Sequence, residues 1–362
     1  MAIKKIGILT GGGDCPGLNA VIRAVVKKSI ADLGCECFGI HDGYEGLVMG
    51  SGVELSSSSV SNILPVGGTI LGTSNTANPF EYARVVRGKM VKEDLSRQAL
   101  GWAKRWGLSA LVAIGGDGTL SIASRLAKLG MKIVGIPKTI DNDLSATDMT
   151  FGHDTATQII SDAIDRLHTT AQSHHRAIVV EVMGRYAGWL ALRGGVSGGG
   201  DVILIPEIPF SMDSVVKAIE RRTRMGRRFS IVVVAEGARE KGKGLVVRRR
   251  IESSPDPIRL GGIGQYVADE IERRSGISSR IVVLGHLQRG GTPTAFDRIL
   301  ATRLGAHAVT LIEKGRFGRM VALKGARITD VPFEAAVKKL KLVPKNFALM
   351  ETARSLGTSF GD

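Results

Sequence analysis

Short apolar runs rich in β-branched residues alternate with longer amphipathic segments along nearly the whole chain. The runs are Ile3–Thr10, Ala110–Ile114, Lys132–Ile136, Ala177–Val182, Val202–Ile205, Ser230–Ala235 and Arg280–Leu284. Continuous apolar runs of this length are typical of parallel strands that are buried on both faces of a sheet. The segment 18–33 places Val21, Val25 and Ile30 on one face of a helix. The alternation therefore predicts a doubly wound α/β architecture with mainly parallel sheets.

Length and composition limit the class of protein. A chain of 362 residues exceeds one ordinary hydrophobic core and predicts two domains. Hydrophobic residues make up 43% and charged residues 23%, which is typical of a folded chain and not of a disordered one. The net charge of +15 is weak support for nucleic-acid binding, and 5% aromatic residues are too few for base-stacking platforms. No apolar run approaches the ~18 residues needed to span a bilayer.

The cysteines and the amino terminus suggest a compartment. Cys15, Cys35 and Cys37 are odd in number and have no CxxC spacing, which argues against a disulfide framework or a structural zinc site. The first residues lead directly into a strand pattern and do not resemble a signal peptide. We therefore expect a cytoplasmic protein without a membrane partner.

Polar, glycine-rich segments follow six of the predicted strands. They are GGGDCPGLN (11–19), GGDGT (115–119), PKTIDND (137–143), MGR (183–185), AEG (235–237) and GHLQRGG (285–291). Doubly wound sheets bind ligands at the carboxyl ends of their strands. We therefore expect the six turns to lie on one edge of a sheet and to form a ligand site. The 47 glycines, about twice the usual share, favour close approach of the backbone to a ligand.

The first two turns have features of a phosphate and metal site. Gly11–Gly13 can direct backbone N–H groups at an anion, although a tight strand-to-helix turn explains the same glycines. Asp117 in GGDGT can hold Mg²⁺, which prefers one or two carboxylates together with phosphate oxygens. Capping of the following helix is the alternative role for Asp117, but Thr119 can cap that helix equally well.

The third turn has the residues of a catalytic group. Asp141 and Asp143 stand two residues apart, beside Lys138 and Thr139. One carboxylate can accept the proton of an attacking hydroxyl while the lysine neutralises charge on a transferred phosphoryl group. A plain turn is the alternative, since Asp and Asn favour turns. Five further cationic side chains can bind phosphate: Arg176, Arg185, Arg280, His286 and Arg289.

Taken in order, GGGDCPGLNAVIR, GGDGT, PKTIDND, EVMGR, AEG and LGHLQRGG resemble the motifs of the 6-phosphofructokinases, from Ile3 to about Gly318. NAD kinases and diacylglycerol kinases have loops similar to GGDGT but lack PKTIDND and HLQRGG. The resemblance implies Mg²⁺-dependent transfer of a phosphoryl group to the 1-hydroxyl of fructose 6-phosphate, which gives fructose 1,6-bisphosphate in glycolysis.

The resemblance also implies roles for individual residues. Asp141 is then the base, with Lys138, Thr139 and Asp143 around it, and Asp117 holds Mg²⁺. The donor site is implied to consist of Gly13, Tyr44, Asn75, Gly118 and Thr119. The sugar-phosphate site is implied to consist of Arg176, Met183, Gly184, Arg185, Glu236, Arg280, His286, Leu287, Gln288 and Arg289. Within that set, Arg176 and Arg280 reach the site of a neighbouring copy, which implies a homodimer or homotetramer with shared active sites.

The family architecture gives the expected domains. Residues 1–152 with about 288–338 are expected to bind the phosphoryl donor. Residues 153–287 with about 339–362 are expected to bind fructose 6-phosphate, and the active site lies in the cleft between the two domains.

Three residues bear on the identity of the donor. Gly118 leaves room for an α-phosphate, as in relatives that use ATP, whereas pyrophosphate users commonly have Asp there. Lys138 is typical of pyrophosphate users, and Asn75 stands where many relatives have an arginine. This combination is similar to the mixed-substrate subgroup. We predict ATP as the donor, with pyrophosphate as the alternative.

Other classes of protein fit the sequence less well. A dinucleotide-dependent oxidoreductase would need a GxGxxG turn, which is absent from the chain. A sugar-phosphate sensor or nucleic-acid binder would gain nothing from three carboxylates beside bound phosphates. The basic stretch 220–229 and Arg248–Arg250 have no assigned function, and 240–257 is predicted to be a surface excursion.

Overall fold

The computed structural model describes residues 3–86, 88–250 and 258–362, so part of the predicted 240–257 excursion lies outside the described residues. The strands are β1 (Lys5–Thr10), β2 (Glu36–Ile40), β3 (Gly52–Leu55), β4 (Tyr82–Val86), β5 (Lys89–Glu93), β6 (Ala110–Gly115), β7 (Ile133–Pro137), β8 (Ala177–Val182), β9 (Val202–Leu204), β10 (Ser230–Ala235), β11 (Val247–Arg250), β12 (Ile258–Leu260), β13 (Ser279–Val283), β14 (Arg319–Lys324) and β15 (Arg327–Pro332). The helices are α1 (Leu18–Leu33), α2 (Tyr44–Met49), α3 (Ser96–Arg105), α4 (Asp117–Lys128), α5 (His153–His174), α6 (Trp189–Ser197), α7 (Met212–Arg224), α8 (Ile263–Ser275), α9 (Ala295–Glu313), α10 (Phe333–Val337) and α11 (Ala348–Ser355), and a 3₁₀ helix covers Gly285–Arg289.

The larger sheet has seven strands in the order β15-β14-β7-β6-β1-β2-β3. Its five central strands are parallel, and the two edge strands, β15 and β3, are antiparallel to their neighbours. Strands β1, β6 and β7 are almost completely buried, which is the reason that their sequences are continuously apolar. The predicted α/β fold with a mainly parallel sheet is confirmed.

The smaller sheet has four strands, all parallel, in the order β13-β8-β10-β9. The six polar turns are therefore divided between two sheets. Those after β1, β6 and β7 belong to the larger sheet, and those after β8, β10 and β13 belong to the smaller one. The expectation of a single sheet edge was wrong, because apolar periodicity identifies strands but does not say which strands pair.

The two sheets share a continuous hydrophobic core. Buried side chains of β1 and β8, such as Ile6 and Val180, belong to one cluster that also contains Ile160 and Ile164 of α5. After the 3₁₀ helix the chain returns to the larger sheet, where α9 packs closely on α1. A Cβ at Gly305 of α9 would lie 2.9 Å from the Cβ of Ala24, so glycine permits this approach. The common core fixes the carboxyl ends of both sheets relative to each other.

Two further expectations can be compared with the fold. Cys15, Cys35 and Cys37 are all buried free thiols. Among the helices of the described residues, none is both long enough and apolar enough to cross a membrane.

Candidate active site

The parallel pairing of β1 with β6 brings the first two glycine turns together. The N–H of Gly11 donates to the carbonyl of Ile114 at 2.9 Å, and the N–H of Gly12 donates to the carbonyl of Ser74 at 3.1 Å. Both groups therefore have protein partners, so the expectation that they face an anion was wrong for Gly11 and Gly12, whereas for Gly13 it stays a prediction. Strand pairing and a neighbouring loop satisfy these donors, and neither partner is visible in the local sequence.

Thr119 supports these turns from inside the protein. A Cβ at Gly11 would lie 2.7 Å from the Thr119 hydroxyl, so the turn needs glycine in order to close over this side chain. The hydroxyl of buried Tyr44 donates to the Thr119 carbonyl at 2.8 Å. Thr119 therefore does not cap α4, which begins at Asp117 after an extended Gly116. The predicted start of this helix near Leu120 was three residues late.

Asp117 and Gly118 lie exposed at the first turn of α4. The space where Gly118 would carry a Cβ is open, with no atom within 4 Å. Burial raises the pKa of Asp143 and the charge of Asp117 adds to the rise, so the carboxylates of two different turns approach each other. A divalent cation would relieve this repulsion, and the site therefore fits the expected Mg²⁺. In the described parts of the chain, no group of three or more His, Cys, Asp or Glu is arranged to hold a metal ion.

The turn after β7 is organised around Asp141 and Asp143. The Thr139 hydroxyl donates to Asp143 Oδ1 at 3.2 Å and accepts the N–H of Asp141 at 3.1 Å. Between the two carboxylates, Asn142 adopts a left-handed conformation with φ of 51°. Oδ1 of Asp141 is buried and has no hydrogen-bond partner. Burial and the charge of Asp143 raise the pKa of Asp141 to about 7, which suits a group that exchanges a proton near neutral pH.

Lys138 and Arg289 flank Gly13. The buried ammonium of Lys138 donates to the Gly13 carbonyl, and burial lowers the pKa of this lysine. A Cβ at Gly13 would collide with the guanidinium of Arg289, whose Nη1 lies 3.4 Å from the carbonyl oxygen of Asp14. Two cations therefore stand at the first glycine turn although they come from the ends of β7 and β13.

The three turns of the smaller sheet are joined to one another. Glu236 donates its N–H to the Val182 carbonyl at 2.9 Å, and Gly237 donates to the Gly184 carbonyl at 3.1 Å. The fully buried Gln288 accepts the N–H of Met183 at 3.3 Å, and its amide nitrogen donates to the Gly285 carbonyl at 3.0 Å. Gln288 therefore positions two of the turns.

The turns of the two sheets also face each other. The charge of Glu236, from the smaller sheet, raises the pKa of Asp141, from the larger sheet, and the charge of Arg289 lowers it. Burial raises the pKa of Glu236, while Arg185 and Arg289 lower it. Four carboxylates and several cations from the two sheets therefore lie close enough to interact: Asp117, Asp141, Asp143 and Glu236 with Lys138, Arg185 and Arg289.

Five predicted residues lie outside this cluster or at its rim. Arg176 and Arg280 stand at the amino ends of β8 and β13, about 20 Å from the MGR turn at ~3.3 Å per residue. These two arginines were expected to reach the site of a neighbouring copy, and that expectation stays a prediction. His286 and Leu287 are exposed on the 3₁₀ helix, and Asn75 is exposed on the loop whose Ser74 accepts the N–H of Gly12.

Two residues near the base were missed by the sequence reasoning. Asn142 binds the side chain of Lys341, which comes from the carboxyl-terminal segment after α10. Asn142 is part of a recognised motif, and its position between two aspartates was a usable signal. Nothing in the sequence around Lys341 indicates that it contacts a turn about 200 residues away.

This fold and site define an enzyme that transfers phosphoryl groups, and comparison with known proteins agrees. The family model described as Phosphofructokinase matches residues 5–312. The chain is 50% identical over 99% of both chains to an ATP-dependent 6-phosphofructokinase 2 of Clostridium perfringens. It is 52% identical, over 94% of this chain and 96% of the other, to a pyrophosphate–fructose 6-phosphate 1-phosphotransferase of Amycolatopsis methanolica. The crystal structure of Pichia pastoris phosphofructokinase in the T-state superposes with a TM-score of 0.80 at 35% identity, covering 93% of this chain and 36% of that one, so this chain spans about a third of the yeast protein.

The chain therefore belongs to the phosphofructokinase family and is a phosphotransferase.

Proposed function

We propose that this protein is an ATP-dependent 6-phosphofructokinase that phosphorylates the 1-hydroxyl of fructose 6-phosphate in the cytoplasm. The observation that carries the proposal is the unpartnered, buried Oδ1 of Asp141 between a cationic turn on one sheet and the Glu236 turn on the other. The relatives named above act on the same sugar phosphate with either ATP or pyrophosphate.

In the proposed mechanism Asp141 accepts the proton of the sugar hydroxyl as that oxygen attacks the terminal phosphorus of the donor. The raised pKa of Asp141 makes it a stronger base than an ordinary aspartate. Thr139 fixes the turn, and Lys138 with Arg289 places positive charge beside Gly13, where phosphoryl oxygens gain charge. Mg²⁺, held by Asp117 and by phosphate oxygens, would neutralise the charge of the donor.

We assign the larger sheet, with residues 1–152 and about 288–338, to the donor. The smaller sheet, with residues 153–287 and about 339–362, is assigned to the sugar phosphate. Glu236 and Arg289 interact with the charge of Asp141, and Arg185 interacts with that of Glu236. A sugar held by these three side chains would present a hydroxyl to the base. The exposed His286 and Leu287 lie next to these groups on the 3₁₀ helix and complete the rim.

Sequence identity to the relative named for ATP and to the one named for pyrophosphate is nearly equal, so identity does not select a donor. The choice of ATP rests instead on the open space at Gly118. Asp117 and Gly118 are neighbours on the first turn of α4, so a donor whose phosphates shared a metal ion with Asp117 would lie close to Gly118. A bulky or acidic side chain there would obstruct an α-phosphate, which pyrophosphate does not have. Pyrophosphate is retained as a second donor because buried Lys138 adds a phosphate-binding charge.

Initial rates with fructose 6-phosphate and Mg²⁺ test the donor, with ATP or pyrophosphate as the only donor. The variant Gly118→Asp should reduce kcat/KM for ATP at least about 10-fold, because like charges 4 Å apart repel by about 1 kcal/mol in water and about 4 kcal/mol near a protein surface. Its rate with pyrophosphate should change much less. Gly101→Asp is the matched control, since Gly101 is also an exposed helical glycine with open space beside it.

An ATP rate that survives in Gly118→Asp would show that this position does not contact the donor. Activity of the wild-type protein with pyrophosphate alone would transfer the proposal to the second donor. Absence of turnover with both donors would refute the kinase assignment for this chain.

We also propose that the active sites are shared between copies of this chain. Arg176 and Arg280 lie too far from their own cleft to bind its substrate, so they are available to a neighbouring cleft. A groove of about 910 Å³ between α5 and the 3₁₀ helix contains Val283 and Leu287, which are 56% and 68% exposed. Exposed apolar residues next to His286 favour a second copy at this surface.

Complementation between two inactive variants tests the shared site. Asp141→Asn lacks the base, and Arg280→Ala lacks the proposed contribution to the neighbour. When the two variants are mixed and reassembled, some sites would combine an intact Asp141 with the Arg280 of the other chain and regain activity. A mixture that stays as inactive as its components, although hybrid oligomers form, would refute the sharing of Arg280.

A further inference from the structure

Lys341 makes an unusual set of contacts for a residue on a carboxyl-terminal segment. Its ammonium donates to Asn142 Oδ1 at 2.8 Å, to the Thr147 carbonyl at 3.0 Å and to the Asp148 carbonyl at 3.1 Å. Its backbone N–H donates to the carbonyl of Asp143 at 2.7 Å. All three donors of the ammonium are thus used on the segment that begins with the catalytic turn.

The contact with Asn142 matters because of the backbone conformation at that residue. Asn142 separates Asp141 from Asp143 and has a positive φ of 51°, which non-glycine residues adopt at a cost. Its Oδ1 also accepts the N–H of Thr150 at 3.1 Å. Lys341 and Thr150 therefore hold the Asn142 side chain from two directions, and this fixes the direction in which the neighbouring Asp141 leaves the turn.

The segment around Lys341 is anchored to the sugar-phosphate half of the protein. The indole N–H of Trp189 donates to the Lys341 carbonyl at 2.7 Å, and the Lys341 ammonium lies 5.7 Å from the centre of the Trp189 ring. Two residues later, the N–H of Val343 donates to Glu207 Oε1 at 2.8 Å, and the same carboxylate accepts the N–H of Gly188. Lys341 therefore connects the base turn of the larger sheet to α6 and its neighbours.

Several charged groups surround the Lys341 ammonium. Asp143 and Asp148 attract it, whereas Arg193 of α6 and Lys324 of β14 repel it. Burial lowers the pKa of Lys341 to about 8, so most molecules keep the positive charge at pH 7. Burial raises the pKa of Asp143, and the charge of Lys341 opposes that rise; burial lowers the pKa of His153 behind the turn, and Lys341 adds to that effect.

We propose that Lys341 is a positioning residue for phosphoryl transfer, which holds Asn142 and the Asp143 carbonyl so that the Asp141 carboxylate stays aligned with the sugar hydroxyl. This inference rests on the proposed function. Lys341 lies outside residues 5–312, which the family model matches. The proposal therefore gives the carboxyl-terminal segment a part in the reaction. Because the donors of the Lys341 ammonium are all used on protein acceptors, its loss would affect turnover and leave substrate binding nearly unchanged.

Lys341→Met tests the proposal, since methionine keeps a similar length and removes the three donors. We expect kcat to fall about 10- to 100-fold, because small displacements of a reacting group cost up to ~10² in rate. KM for fructose 6-phosphate and for the donor should stay within about twofold. Lys339→Met is the matched control, because Lys339 is an exposed lysine of the same segment and should keep wild-type kinetics.

A double-mutant cycle separates positioning from general loss of structure. Asn142→Gly removes the acceptor of Lys341 while allowing the positive φ. If Lys341 acts through Asn142, the two substitutions together should reduce kcat little more than either one alone. Should Lys341→Met fail to fold, Asn142→Gly alone still has to lower kcat at nearly constant KM.

A folded Lys341→Met variant with wild-type kcat, a parallel rise in KM, or fully additive effects in the cycle would each overturn the proposal. An inactive wild-type protein would instead refute the proposed function, so the two failures are distinguishable.

Discussion

Replacing Asp141 with asparagine separates the catalytic value of this carboxyl group from its effect on folding. Without the base, turnover should fall by about 10²–10⁴-fold. Asparagine keeps the size of the side chain, and the N–H of residue 141 can still donate to the Thr139 hydroxyl, as it does at 3.1 Å. The KM values for both substrates should therefore change little.

The same substitution should stabilise the folded protein at high pH. The pKa of Asp141 is about 7 in the folded protein, against an ordinary value of 3.8, because of burial and the charge of Asp143. A carboxyl group whose folded-state pKa is raised makes the protein lose stability as the pH rises from about 4 to about 7, and the loss stays constant above pH 7. Each pH unit is worth about 1.4 kcal/mol, and titration shared with Asp143 reduces the total to about 2–4 kcal/mol.

Asparagine has no such penalty, so at pH 8 the variant should unfold a few degrees above the wild-type protein. The gain in Tm should be less than half as large at pH 5. Thermal unfolding by circular dichroism at both pH values, together with steady-state rates, measures both effects. Asp165→Asn, which makes the same change on the exposed face of α5, is the control. Turnover within tenfold of wild type would remove Asp141 as the base, and a Tm gain independent of pH would refute the argument from a buried carboxylate.

Three further outcomes follow from the site and the core. Gly13→Ala should displace the flexible end of Arg289 and lower kcat/KM at least about 10-fold, with little change in Tm. Initial rates and thermal unfolding measure both effects, and unchanged rates would show that Arg289 is not needed at Gly13. Gly135→Ala should lower stability and leave turnover unchanged, because its Cβ would lie 2.5 Å from Phe333 and 2.6 Å from Leu120 in the core. We expect the free energy of unfolding, measured with denaturant, to fall by about 1–3 kcal/mol, with normal kcat in the molecules that fold. Chelation with EDTA should abolish turnover with ATP and with pyrophosphate, and added Mg²⁺ should restore it; turnover that persists in EDTA would contradict the role given to Asp117.

Local patterns in the sequence were sufficient for much of the fold. The predicted helix 18–33 and the strands Ala177–Val182 and Ser230–Ala235 have the bounds that were expected. These elements have a clear apolar period, which depends only on neighbouring residues. Helix α4 was predicted to begin later than it does, because Thr119 was treated as a capping residue. Thr119 is instead buried beneath two glycine turns. Its support of those turns depends on strand pairing.

The arrangement of the candidate site was only partly predictable. The motifs identified Asp117, Lys138 and Asp141 as chemically important because their residue types stand at strand ends. The division of the turns between two sheets depended on strand order. A sequence pattern contains no information about which buried strands lie side by side.

For this protein, the sequence by itself determined the α/β class, the succession of buried strands and the residue types available for phosphoryl transfer, because each of these follows from local periodicity and chemistry. Only the tertiary structure decided that Asp141 has a pKa near 7, that Arg289 lies over Gly13 and that Lys341 holds the base turn. Burial, charge proximity and hydrogen bonds between distant segments act through space. They exist only after two sheets and a carboxyl-terminal segment have packed around one cleft.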